Sequence, residues 1–260
     1  MVVDGDVSDG EFDGAAVLVT GAGHGIGRAT ALRFAAAGAS LTLGDLNEAT
    51  LAEVAKEAEA AGADVLAVPY DQRSSTSVAA LVDAAAERFG RIDALANIAG
   101  IYPLATVDDT TDELWNDVLT TNLTGVFYVC RAALPRMLAA GRGSIVNIAS
   151  GAAELPYAGM AAYAASKGGI QSLTRVLAKE GAPTVRVNTV APGPTRSWPA
   201  PDDDAGESPI GRAAKITDGI PLGRWAEPEE IAEAIAFLVS ARSKFMTGQV
   251  LRVNGGNHMA

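Results

Sequence analysis

A chain of 260 residues, 48% of them hydrophobic, can bury one ordinary core. Its formal net charge of −11 argues against nucleic acid or an anionic membrane surface as partner. One cysteine, Cys130, and two distant histidines, His24 and His258, exclude an intrachain disulfide and leave too few ligands for a zinc site, so no metal is expected. No stretch reads as a signal peptide and no run of about 18 apolar residues occurs. A cytoplasmic protein without membrane contact is the expectation.

Residues 1–12, with Asp4, Asp6, Asp9 and Glu11 among glycines, read as a flexible tail ahead of a domain over 13–260. Residues 15–20 (AAVLVT) read as a buried strand, followed by glycines and a helix from Gly27 to Ala37. A second strand fits 39–44, and Asn47 can cap a helix that runs to about Ala61 and stops at Gly62. Further strands fit 64–68, 92–96, 144–149, 185–190 and 249–253; helices fit 75–89, 111–121, 122–140, 160–180 and 227–240. Continuous apolar strands alternating with helices predict an α/β fold: one doubly wound, Rossmann-type domain around a parallel sheet of about seven strands. The Pro-, Asp- and Gly-rich segment 194–223 is expected to be a substrate loop, mobile until ligands bind.

Thr20 to Gly27 reads TGAGHGIG, between the first strand and a helix. Gly21 permits a tight turn, Gly25 lets backbone approach a pyrophosphate, Gly27 lets helix pack on strand, and the helix N-terminus favours an anion. Glycines alone could make a plain turn; the placement favours a dinucleotide. Asp45 ends the second strand about 20 residues on, where an acidic side chain can bond a ribose 2′-hydroxyl. It could instead cap the next helix, a task that Asn47 can perform. Gly44-Asp45-Leu46-Asn47 contains no Arg or Lys for a 2′-phosphate, so NAD is expected over NADP.

Residues 163–167 read YAASK, a spacing that puts Tyr163 and Lys167 on one helix face. An ammonium beside the phenol would lower its pKa from about 10 and suit it to proton transfer. Alone, such a pair is more often a packed tyrosine beside an extended lysine. Ser150, however, follows the strand GSIVNIA and so falls at the carboxyl edge of the sheet, where ligands of open α/β folds bind.

At this point the sequence resembles the short-chain dehydrogenase/reductase family, in its single-domain form, over about residues 13–256. The motifs are Thr20–Gly27, Asn97-Ile98-Ala99-Gly100, Asn122 in TNLTGVF, Ser150, Tyr163 with Lys167, Pro192-Gly193, and Val253-Asn254-Gly255-Gly256. The resemblance implies that Tyr163 is the general acid/base, that Ser150 orients the substrate oxygen, that Lys167 tunes Tyr163 and binds the nicotinamide ribose, and that Asn122 supports a proton relay. It implies cofactor contacts from Gly21, His24, Gly25, Ile26, Gly27, Asp45, Leu46, Asp71, Gln72, Asn97, Ala99, Gly100, Pro192, Gly193, Thr195 and Ser197. Ile98 stands where a second Asn is commoner, Asn254 where Asp is usual, and Ser197 where Thr is frequent.

The reaction implied is reversible oxidation of a secondary alcohol to a ketone, the small-molecule substrate being a hydrophobic or cyclic alcohol. An alternative is a 3-oxoacyl thioester reductase acting on acyl carrier protein or CoA substrates; such enzymes usually use NADPH, which Asp45 disfavours. A catalytically silent NAD-binding regulator is the least favoured, because the set Asn122, Ser150, Tyr163 and Lys167 is intact. Tyr102, Leu155, Tyr157, Trp198 and Trp225 are candidates for an apolar pocket. The resemblance also implies a homotetramer, with dimer contacts through helices around 107–121 and 122–140, rich in apolar residues such as Leu119, Val126, Val129, Ala132 and Ala133, and a second interface to which the Gly255-Gly256 tail contributes.

Overall fold

The computed structural model describes residues 10–197 and 219–259. Strands β1 (Ala16–Thr20), β2 (Ser40–Asp45), β3 (Val65–Pro69), β4 (Ala94–Asn97), β5 (Gly143–Ile148), β6 (Val185–Pro192) and β7 (Val250–Val253) form one sheet. It is parallel throughout, in the order β3-β2-β1-β4-β5-β6-β7. The helices are α1 (Gly25–Ala35), α2 (Glu48–Ala60), α3 (Ser75–Phe89), α4 (Asp112–Leu119), α5 (Gly125–Ala139), α6 (Ala161–Gly181) and α7 (Pro228–Val239). Chain order reverses direction across the sheet between β1 and β4. That switch point opens a crevice at the carboxyl ends of the strands.

The sheet is covered on both faces, which is why β1 and β4 are buried throughout and β2, β5 and β6 are buried at all but one position each, with no alternation. Val17, Val19, Leu41 and Leu43 pack with Phe34, Val54, Ile231 and Ile235 of α1, α2 and α7. Leu18, Leu95, Ile145 and Val187 pack with Leu81, Val129 and Ile170 of α3, α5 and α6. Short-range signals set the helix ends. The Asn47 side chain accepts from Ala49 N at 3.0 Å and Thr50 N at 3.2 Å, and Gly90, at φ 72°, closes α3 in the left-handed region. Glu227 and Glu230 form a capping box around Pro228 at the start of α7.

Four expectations are corrected. The folded body begins before residue 13: Phe12 is buried, its ring 4.9 Å from Phe34, and Glu11 pairs with Arg33 and Arg242. Residues 1–9, the rest of the expected tail, lie outside the described residues, as do 198–218 of the expected substrate loop and Trp198. Helix α1 starts at Gly25, inside the glycine loop. The expected break at 121/122 is absent; α4 runs into α5 through a π turn, Thr120–Thr124. Val126, Val129 and Ala133 lie in the core, so they supply no outer contact; the large exposed hydrophobic side chains of α4 and α5 are Trp115, Phe127 and Leu138. Among the described residues no helix is long and apolar enough to cross a membrane.

Candidate active site

Ser150, Tyr163, Lys167 and Asn122 meet at the carboxyl edge of β4 and β5. Two residues after β5, the Ser150 hydroxyl accepts from Ala152 N at 3.1 Å and caps a short 3-10 turn, Gly151–Ala153. It also hydrogen-bonds Tyr163. One helical turn along α6, Lys167 Nζ donates to the Ile148 carbonyl at 2.9 Å and lies 5.7 Å from the Tyr163 ring centroid. Asn122, fully buried in the π turn, is clamped to the loop after β4: its Oδ1 accepts from Ile101 N at 2.8 Å, and its Nδ2 donates to Ile101 O at 2.8 Å and to Ser166 Oγ at 3.2 Å. π turns are often found at functional sites because the widened turn redirects a side chain. Gly100 sits at the junction; a Cβ there would lie 3.0 Å from Asn122 Oδ1 and 3.5 Å from Lys167 Nζ.

The electrostatics differ from the sequence expectation. In the protein alone Tyr163 titrates above its ordinary value: burial raises it most, the Ser150 hydrogen bond lowers it, and Tyr102 raises it again. Desolvation outweighs the help expected from Lys167, whose ammonium is turned to the Ile148 carbonyl. Lys167 itself is pushed from 10.5 down to about 8 by burial.

That displacement has a thermodynamic sign. The folded pKa lies below the unfolded one, so between about pH 8 and 10.5 the unfolded chain binds the extra proton and stability rises with pH. Below that window the buried ammonium costs on the order of 3 kcal/mol. Lys167→Met is therefore expected to be inactive yet more stable at pH 7. Allowing for the lost bond to Ile148, the gain should be about 1–2 kcal/mol, or roughly 2–6 °C in Tm. Thermal melts across pH check this: the gain should fade by pH 10, and a lower Tm than wild type at pH 7 would contradict it.

The glycine loop forms a cradle beside this cluster. Gly21 and Gly25 have φ of 66° and 50°, where other residues are strained. A Cβ on Gly27 would stand 1.8 Å from Gly21 O, and one on Gly25 would stand 2.4 Å from Ser197 O. The loop is thus closed to side chains, and the N-terminus of α1 opens from it at Gly25 between His24 and Ile26. At the end of β2, Asp45 is 7% exposed; its carboxylate accepts from Gly23 N at 2.9 Å and Asn47 N at 2.9 Å. Leu46 beside it is 65% exposed. Arg28 of α1 is paired with Glu57 of α2 at 2.5 Å. Anion-favouring amides, a side-chain-free cradle and a carboxylate at the second strand's end fit a dinucleotide.

The remaining expected contacts divide. Gly21 packs on Ala99, and Thr20 Oγ1 accepts from Ile98 N at 3.0 Å, so the loops after β1 and β4 line one wall. Pro192 ends β6, Gly193 N donates to Val253 O at 2.9 Å, and Thr195 forms a bridge with Ala226. Other side chains are committed elsewhere. Arg73 grips the Asp71 carboxylate, at 2.8 Å from Nη2, and holds it below the usual range. Gln72 is buried and braced, donating to Ala99 O and Thr121 O and accepting from Tyr70. Asn97 donates to Asn147 Oδ1 at 2.9 Å, and its own Oδ1 is a buried acceptor without a hydrogen-bond partner. Ser166 was not anticipated, although its place one residue before Lys167 in YAASK was a usable signal. Tyr102, anticipated only as a pocket candidate, stands edge-on to Tyr163 with ring centroids 6.4 Å apart.

A doubly wound sheet with a dinucleotide cradle and a Ser–Tyr–Lys cluster at its switch point defines a nicotinamide-type oxidoreductase architecture. A family profile described as Enoyl-(Acyl carrier protein) reductase matches residues 21–258. The chain is 38% identical over 248 residues to 3-oxoacyl-[acyl-carrier-protein] reductase of Thermotoga maritima, covering 94% of this chain and 98% of that protein. It is 41% identical over 241 residues to cis-4-hydroxycyclohexanecarboxylate dehydrogenase of Sinomonas cyclohexanicum, covering 92% and 95%. A crystal structure of NAD+-bound xylitol dehydrogenase superposes with a TM-score of 0.88 at 35% identity, over 94% of this chain and 99% of that one. The chain belongs to the short-chain dehydrogenase/reductase family and is an oxidoreductase.

Proposed function

We propose that this protein is an NAD-dependent dehydrogenase of hydrophobic, ring-bearing secondary alcohols, working reversibly as a ketone reductase. The observation that carries the reading is the convergence of Ser150, Tyr163 and Lys167 beside a cradle whose second strand ends in Asp45. Ser150 holds the substrate oxygen, and Tyr163 takes its proton during oxidation or returns it during reduction. Lys167 lies behind the phenol and, with bound cofactor, favours the phenolate. Asn122 fixes the loop at Ile101 and Ser166 so that Lys167 keeps its place. Gly21, Gly25 and Gly27 with the α1 amides would hold the pyrophosphate, and Asp45 the adenosine ribose. A nicotinamide bound there would supply the two-electron redox chemistry of the alcohol–ketone interconversion.

Substrate class rests on the walls of the site. Tyr102, Leu104, Leu155 and Tyr157, all on the loops flanking Ser150 and Tyr163, are 37–44% exposed. They present apolar surface suited to a ring. Cyclohexanol should reduce NAD in the presence of the enzyme and do so better than xylitol; a tenfold preference for the polyol, about 1.4 kcal/mol, would refute the class. The 3-oxoacyl thioester reading of the site loses ground at Asp45. We place the enzyme in the cytoplasm, as one dinucleotide-binding domain with no metal, assembled as a homotetramer. The exposed Trp115, Phe127 and Leu138 of α4 and α5 support that assembly, and a monomeric mass by light scattering would exclude it.

A further inference from the structure

One cluster beside the site takes no part in the chemistry above. Glu154 lies four residues past Ser150, at the end of the 3-10 turn that Ser150 caps. Its carboxylate meets the Arg252 guanidinium in a two-point fork, Oε2 to Nε at 2.6 Å and Oε1 to Nη2 at 2.9 Å. Such forks fix geometry as well as charge. Gln171 Nε2 donates to Oε1 at 3.1 Å, and His258 Nε2 lies 3.3 Å from Oε2. Arg252 comes from β7, Gln171 from α6 and His258 from the C-terminal segment. Together they hold the Glu154 carboxyl below its usual range, Arg252 contributing most.

The same C-terminal segment reaches the loop a second time. Asn257 Nδ2 donates to the Tyr157 hydroxyl at 3.3 Å. Asn254 stiffens the segment, donating to His258 O at 2.8 Å and accepting from Gly256 N at 3.0 Å. Residues 151–160 carry Leu155 and Tyr157, 38% and 40% exposed, and their internal bonds are local, such as Leu155 N to Gly151 O at 2.8 Å. Their position relative to the sheet is therefore set from outside, at Glu154 and Tyr157, and by Ala105 N to Gly159 O at 3.0 Å. Helix α6 displays the logic along one face: Tyr163 meets Ser150, Lys167 meets Ile148 O, and Gln171, one turn later, meets Glu154.

We infer that Glu154, gripped by Arg252, is a positioning residue: it sets the Leu155–Tyr157 wall against the Ser150–Tyr163 pair and so makes the last strand and tail a determinant of which alcohol is accepted. The pair is partly buried, 16% and 31% exposed at the Glu154 and Arg252 side chains, and its two-point geometry within a network sets it apart from a solvated surface pair. The inference rests on the proposed function for its kinetic consequence, not for its structural one.

The test uses the full chain carrying Arg252→Met, with Arg252→Lys as the charge-keeping control. Amide exchange in 151–160 should quicken about tenfold, with α3 unchanged. With cyclohexanol and NAD, KM for the alcohol should rise about tenfold while kcat and KM for NAD stay within about twofold, and Arg252→Lys should fall between. Unchanged exchange in 151–160, exchange quickened equally in α3, or a loss confined to kcat would overturn the assignment. Should wild type leave cyclohexanol untouched, the proposed substrate class fails and the exchange comparison still decides the positioning role. Should Arg252→Met not fold, Glu154→Gln, of the same shape and without the charge, is read in the same two ways.

Discussion

Tyr163→Phe is expected to lower kcat by about 10²–10⁴-fold or more while NAD binding survives. The phenol is the proton carrier in the proposed mechanism, and the ring would stay packed edge-on to Tyr102 after the change. Loss of the hydroxyl removes the Ser150–Tyr163 hydrogen bond and leaves Lys167 on the Ile148 carbonyl, so the defect should lie in the chemical step. Steady-state kinetics with cyclohexanol, alongside NAD titration by fluorescence, separate the two. Near-normal turnover in Tyr163→Phe would remove Tyr163 from the reaction.

The second large effect is cofactor choice. Wild type should favour NAD over NADP in kcat/KM by roughly 10- to 100-fold. Two unit charges 4 Å apart interact by about 4 kcal/mol at an effective dielectric of 20, and screening brings the repulsion between Asp45 and a 2′-phosphate down to about 1–3 kcal/mol. Gly44-Asp45-Leu46-Asn47 offers no Arg or Lys to offset it, and Arg28 of α1 is paired with Glu57. Asp45→Ala should shrink the ratio several-fold. Because the carboxylate also accepts from Gly23 and Asn47, the variant should lose some NAD affinity as well, so the ratio is the measure to read. A wild-type preference for NADP, or a ratio that Asp45→Ala leaves unchanged, would reverse the assignment.

What the sequence revealed divides by distance along the chain. β1, the glycine loop, the Asn47 cap and the YAASK pair are short-range patterns and stand close to where those patterns put them, except that α1 begins at Gly25, inside the glycine loop. The direction of the Tyr163 shift was not legible, because it depends on burial by elements far apart in sequence. The π turn was not legible either: TTNLT carries no Gly or Pro signal, and its widened geometry emerges where Asn122 is clamped to Ile101. The Glu154–Arg252 fork joins residues 98 apart, beyond the reach of any local pattern. Phe12 was read as tail because its neighbours are acidic residues and glycines, whereas its burial is decided by Phe34 on α1.

A π turn is an α-helix carrying one residue more than its hydrogen bonds need. Gly125 N donates to Thr120 O across that surplus, so Gly125 sits over Thr120 much as the fourth residue on would in a plain α-helix. Deleting one residue of Thr120–Thr124 would therefore restore α-helical spacing and leave the two flanking helices nearly in phase, with Val126, Val129, Cys130 and Ala133 still facing the core. The loss would fall on the turn itself, where Asn122 reaches Ile101 and Ser166. The core has no use for the surplus residue; the reacting centre does.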